Sequence, residues 1–208
     1  MAELLGERAG TRGPTLAELE FFAEDSLVTV IPRVNLSRIE LIAGDFGPFT
    51  VNEACAVPLW LAVCLKRAGY CSIVPPSWLR LKALTAAREE EEQSPELSAS
   101  LPFHYQQIAS LLLTHAAADI PQACHIHEVL EDIVTVRQGK IRALLQRIVS
   151  EHEATRPARL GYLGSIELFR FRPALVHSLR TQSSLHSESA ADHHWPEDRD
   201  FSSMTGSL

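Results

Sequence analysis

The chain has 208 residues, 46% hydrophobic and 22% charged, with a formal net charge of −7 at pH 7; that mix suits one ordinary globular domain or two small ones. The acidic balance argues against a protein that grips DNA through its own phosphate contacts, which need surplus Lys and Arg. The longest uncharged apolar stretch, residues 54–65, has 12 residues, too short to cross a membrane as a helix; Glu3, Glu7 and Arg8 do not read as a secretory leader, and four irregularly spaced cysteines point to a reducing compartment.

Residues 1–14, with Gly6, Gly10 and Gly13, read as a loose arm. Thr15 then caps a short helix, with Glu18 as its capping-box partner and Leu16, Leu19 and Phe22 on one face. Residues 27–31 are β-branched and stop at Pro32, a strand signal. Residues 38–42 alternate charged and apolar, the period of a half-exposed strand. Residues 43–48 carry turn chemistry, since the glycines accept φ > 0 and Pro48 fixes φ. Pro58 suits the first turn of a helix through Leu59, Trp60, Val63 and Leu65 to Gly69. A short strand over 71–74 ends at Pro75-Pro76.

After Pro76 the pattern turns helical. Trp78, Leu81 and Leu84 or Thr85 share a face that ends in the acidic run 89–92. Tyr105, Ile108, Leu111 or Leu112, and His115 line a second helix. A long third one opens at Asp119 and Pro121; along it Ile126, Leu130, Ile133, Arg137, Ile141, Leu144 and Ile148 step by three or four. Carried to residue 154 it exceeds what a small core needs. Its apolar residues on more than one side suggest packing against another chain, with Ile126, Leu130, Ile133, Ile141, Leu144 and Ile148 as the subunit interface. A last helical region runs over 163–171 and restarts at Pro173, tolerated only near a helix start. Residues 181–208 hold seven serines and −4 of the net charge, and read as disordered. The expected fold is α+β, mainly α. It has an N-terminal arm (1–14), a small β-rich domain (15–76), a helical bundle domain with one long helix (77–182) and an acidic Ser-rich tail (183–208).

Candidate chemistry is sparse. Cys124 and His127 lie three apart on a helix, but zinc takes about four ligands and no second pair follows. Cys55, Cys64 and Cys71 suit small hydrophobes. Asp45-Phe46-Gly47 repeats a kinase triplet without the other kinase motifs, and reads as a turn. The run 89–92 reads as a solvated helix end. Arg137, Lys140, Arg142 and Arg147, one or two turns after Glu128, Glu131 and Asp132, read as surface pairing. No cofactor motif appears.

One set of blocks resembles a known family in order and spacing. Pro32, then Gly44, Asp45, Gly47, Pro48 and Phe49, then Pro58, Leu59, Trp60 and Leu61, then Pro75, Pro76 and Trp78 resemble the PSF-two family of GINS subunits. Asp119-Ile120-Pro121 and the closing Glu167 to Arg172-Pro173 fit as well. The chain departs from the family at Val134-Thr135, where a Trp-Asp pair is usual, and at Gly139, where a small helix former is usual. The resemblance implies a non-catalytic subunit without cofactors. It implies three sister GINS subunits in a heterotetramer, and the MCM ring and CDC-forty-five as further partners in the replicative helicase. It also implies only indirect contact with DNA, no membrane, and the nucleus as location. The competing readings are a small metal-dependent hydrolase using Cys124 and His127, and a direct DNA-binding module.

Overall fold

The computed structural model describes residues 13–150 and 161–191, with side chains at 148–150, 178–179 and 181–191 left out. Helix α1 (Leu16–Glu24) begins as the sequence requires. The Glu18 N–H donates to Thr15 Oγ1 at 3.3 Å, and the Thr15 N–H donates back to Glu18 Oε2 at 2.6 Å. Its inward face is Leu19 and Ala23, however; Leu16, Phe21 and Phe22 stay exposed.

Strand β1 (Leu27–Pro32) is the centre of an antiparallel three-stranded sheet, between β4 (Cys55–Pro58) and β5 (Cys71–Val74). Val28, Val30 and Pro32 point inward on alternate positions, and Val30 pairs with Cys55 on one side and Ile73 on the other. The 43–48 segment differs from expectation. Only Ile42 and Ala43 turn; Gly44–Phe46 is strand β3, paired with β2 (Ile39–Leu41). Gly44 takes φ +128°, which a side chain would resist, so the reversal closes in two residues. Phe46 then meets Trp60 edge-on, with centroids 6.0 Å apart.

Helix α2 (Leu59–Arg67) starts at Pro58 and stops at Gly69, whose φ of +78° lets the Tyr70 N–H return to the Leu65 carbonyl at 2.9 Å. Two proline-led steps then feed α3 (Leu81–Gln93), followed by α4 (Tyr105–His115), α5 (Ala123–Ser150) and α6 (Ser165–Ala191). At 1.5 Å per residue α5 is about 42 Å long. One apolar core runs from Ala23 through the sheet and α2 to Ile133, so the β-rich part and the helices share an interior.

The long helix corrects the sequence reading. Ile126, Leu130, Ile133 and Ile141 are buried within this chain, chiefly along the seam with α3, and Leu144 is half-buried. The stripe read as a subunit interface is spent on the chain's own core; the side chain of Ile148 lies outside the described residues. Glu128, Glu131, Asp132, Thr135 and Gly139 make the opposite face exposed and mostly polar. Helix α6 also differs. It passes through Pro173 without a break and continues past residue 182 to Ala191. Pro173 is exposed, so water can take the Phe169 carbonyl that the ring leaves without a donor. Residues 183–191, read as the start of a disordered tail over 183–208, instead extend α6; residues 1–12 of the arm read over 1–14, and 192–208 of the tail, lie outside the described residues.

Candidate subunit interface and the charge cluster behind it

The densest polar convergence in the described chain is buried. Arg137 on α5 is 1% exposed, Glu91 on α3 is 0% and Glu167 on α6 is 2%. Arg137 Nε and Nη2 donate to the two oxygens of Glu167 at 2.7 and 2.9 Å, a bidentate pair. Its Nη1 donates to Glu91, and Nη2 also reaches the Tyr162 carbonyl at 2.6 Å. Lys140 Nζ donates to the other oxygen of Glu91 at 2.5 Å. Tyr105 Oη donates to Glu167 Oε1 at 2.8 Å, and the Gly164 N–H to Oε2 at 2.7 Å. Two cations thus face two carboxylates, and four helices converge on one neutral knot.

The electrostatics follow from that packing. Burial opposes ionisation of Glu167, but the Arg137 bonds and charge outweigh it and hold the carboxyl below the usual carboxylate range. Burial and the adjacent Glu167 charge push the Tyr105 phenol well above its ordinary value. Arg137 is likewise held more firmly protonated, because Glu167 overcomes the cost of burial. Every strong donor here is engaged, so the cluster binds helices together and presents no free acid or base to a substrate.

Sequence reasoning placed these residues wrongly. Glu91 sits in the run read as a solvated helix end, and Arg137 and Lys140 in a patch read as surface pairing. The available signal was Arg137 itself, which falls in register with Ile126, Leu130, Ile133 and Ile141 on the inward stripe. Of that patch, Arg142 and Arg147 remain exposed.

Over the cluster lies a shallow hollow of about 370 Å³ lined by Leu101, Phe103, Tyr162, Leu163 and Leu168. Phe103 and Tyr162 are 51% and 67% exposed. Its walls are pinned from below. The Ser165 N–H donates to the Phe103 carbonyl at 2.8 Å, Gln107 Nε2 donates to Ser165 Oγ at 2.6 Å, and Arg137 holds the Tyr162 carbonyl. Further exposed apolar side chains are Leu16, Phe21 and Phe22 on α1, and Ile42 at the tip of the β2–β3 hairpin. Scattered apolar residues are ordinary on a surface, whereas Phe103 and Tyr162 stand together on a wall held by hydrogen bonds.

The remaining motif residues are mostly architectural. Pro32, Phe49, Leu59 and Leu61 are buried; Pro58, Trp60, Pro75, Pro76 and Trp78 are half-buried around them. Gly44, Asp45, Gly47 and Pro48 are exposed, with Asp45 paired to Arg38. Arg172 is half-buried and Pro173 exposed. Asp119 ties the two parts together: Lys66 Nζ donates to it at 2.7 Å and the Ile73 N–H at 2.8 Å. Cys71 is buried, its thiol pushed up to about 11 chiefly by burial, whereas Cys64 is exposed rather than packed. Cys124 and His127 are exposed on α5, and among the described residues no third ligand joins them.

Two family models fit this architecture in order. Residues 15–74 match the PSF2 N-terminal domain, and residues 78–186 match the GINS complex protein helical bundle domain. The chain belongs to the PSF2 family of GINS proteins. Similar proteins include the DNA replication complex GINS protein PSF2 of Homo sapiens, 38% identical over 152 residues, covering 73% of this chain and 81% of that protein. The Xenopus laevis protein of the same name is 36% identical over 173 residues, 81% of this chain and 92% of that one. The Schizosaccharomyces pombe psf2 protein is 33% identical over 156 residues, with 75% and 82% covered. The departures from the PSF2 pattern fall on α5. Val134 is half-buried against the core, Thr135 Oγ1 bonds back to the Glu131 carbonyl at 2.9 Å, and Gly139 faces open space.

Proposed function

We propose that this chain is a non-catalytic subunit of a GINS heterotetramer, acting with the MCM ring and CDC-forty-five in the replicative helicase. In that role it serves initiation and elongation of chromosomal DNA replication in the nucleus. The observation that carries the reading is the ordered match of both PSF2-type parts to one chain. Its relatives, named as DNA replication complex GINS proteins, support the replication role. The physical character agrees. The acidic balance fits indirect contact with DNA, and the buried charges hold helices in place instead of facing a ligand.

Because α5 spends its apolar stripe internally, the sister subunits are assigned to other surfaces. These are the Phe103–Tyr162–Leu168 hollow and the exposed face of α1. An aromatic residue in a pinned hollow is the kind of anchor that dominates an interface. The test is capture of the three sister subunits by tagged variants. Phe103→Asp and Tyr162→Asp are expected to lower recovery of the sisters at least tenfold with little change in melting midpoint. Full recovery by both variants would remove the hollow from the interface.

A further inference from the structure

Ser94 is the only serine or threonine in the 208-residue sequence that is followed by proline. It closes α3 with an extended backbone, φ −95° and ψ 137°. Gln93, Pro95 and Glu96 around it are exposed. Proline fixes its own φ and keeps the preceding residue out of the helical region, so the step is presented as an extended strand. That is the form in which a kinase cleft reads a short peptide. The position is also tied to the buried cluster. Ser94 Oγ accepts from the Glu96 N–H at 3.1 Å, and Lys140 Nζ donates to the Glu96 carbonyl at 3.0 Å. A hydroxyl and an ammonium thus grip the two ends of one residue, and the same ammonium holds the buried Glu91.

We propose that Ser94 is a phosphorylation site for a proline-directed protein kinase, and that the phosphate loosens the α3–α5 seam. Ser94 Oγ attacks the γ-phosphorus of ATP. The Oγ–P bond forms, the bond from that phosphorus to the β–γ bridging oxygen breaks, ADP leaves, and the hydroxyl proton passes to the kinase's carboxylate base. The product carries about −1.5 to −2 charge at pH 7. It stands at the C-terminal end of a helix, where the macrodipole disfavours an anion, beside Glu90, Glu92 and Glu96. Lys140, already anchored at the Glu96 carbonyl, is the cation that these hydrogen bonds set beside the turn. As it turns to the phosphate, Glu91 loses a partner while fully buried.

The experiment treats the full-length chain, co-purified with its sisters, with a Ser-Pro-directed kinase and magnesium ATP. Peptide mass analysis and a thermal melt follow. One phosphate is expected on the peptide carrying Ser94, absent in Ser94→Ala, with the melting midpoint lowered by roughly 2–4 °C. In Lys140→Gln the phosphate is expected to lower the midpoint less. The proposal is overturned if the folded chain takes no phosphate at Ser94 under conditions that modify a peptide of residues 90–98. An unchanged or raised midpoint after modification overturns it equally, as does an undiminished drop in Lys140→Gln.

Discussion

Arg137 shows how one side chain can hold opposite consequences. Changing it to Met removes a cation but leaves Glu91 and Glu167 charged in the interior. Breaking a buried pair in this way costs about 3–5 kcal/mol, and urea unfolding of the variant is expected to show a loss of that order. Replacing Glu91, Arg137, Lys140 and Glu167 together by apolar residues is expected to cost far less, because both cations leave with both carboxylates and no charge is stranded. The pH dependence follows from the same atoms. Glu167 has a folded pKa below its unfolded one, so the unfolded chain binds more protons between the two and stability rises with pH there. Its contribution is complete above the unfolded value of about 4.3 and is lost as pH falls through the lower folded value. Tyr105 runs the other way. Its contribution is complete below the unfolded value of about 10 and is lost as pH climbs toward its raised folded value. Unfolding midpoints measured across pH should therefore sag at both ends, and Glu167→Gln should flatten the acid limb. Gly139 is the opposite kind of residue. It sits exposed on α5 with open space where a Cβ would stand. Gly139→Ala is expected to stabilise the chain by about 0.5–1 kcal/mol, read as a higher melting midpoint.

Among the elements, local rules were legible wherever the chemistry was local. The capping box at Thr15 and Glu18, the stop of β1 at Pro32 and the end of α2 at Gly69 are each decided by neighbouring residues, and each lies where those residues require. The alternation over residues 38–42 marked β2, but its hairpin partner β3 was hidden in the segment read as a turn. The hairpin's strands are three residues long, and its turn uses Ile42 and Ala43 instead of the Gly and Pro that flank it. The long helix was legible in extent but not in direction. Periodicity shows that Ile126 to Ile141 share a face; it cannot show whether α3 of the same chain or a partner covers that face. The charge cluster was illegible for a related reason. Glu91, Arg137 and Glu167 are far apart in sequence, and although Arg137 falls on the inward stripe, nothing along the chain names the carboxylates that meet it. The Phe21–Phe22 face of α1 gives an element-scale test. Phe21→Asp, at a position 65% exposed, is expected to leave the melting midpoint within about 0.5 kcal/mol-equivalent of wild type while weakening recovery of the sister subunits.

At the scale of the whole molecule, the two parts do not behave as separable modules. The apolar core continues from the sheet and α2 into α4 and α5, and Asp119 bridges to both Lys66 and Ile73. A fragment of residues 77–191 would expose the faces that α1 and α2 cover, and is expected to melt without a cooperative transition. The family resemblance was legible early because its Gly-Asp-x-Gly-Pro-Phe and Val-Pro-Leu-Trp-Leu-Ala blocks build turns and core in one compact region. The contact surfaces were not, because an exposed aromatic such as Phe103 carries no periodic signal. The most direct measurement is the native mass of the assembly recovered when this chain is co-expressed with the three sister subunits. A single species containing one copy of each of the four chains is predicted, with this chain self-associating when expressed alone. A stable, monodisperse monomer left behind while the sisters assemble without it would contradict the account.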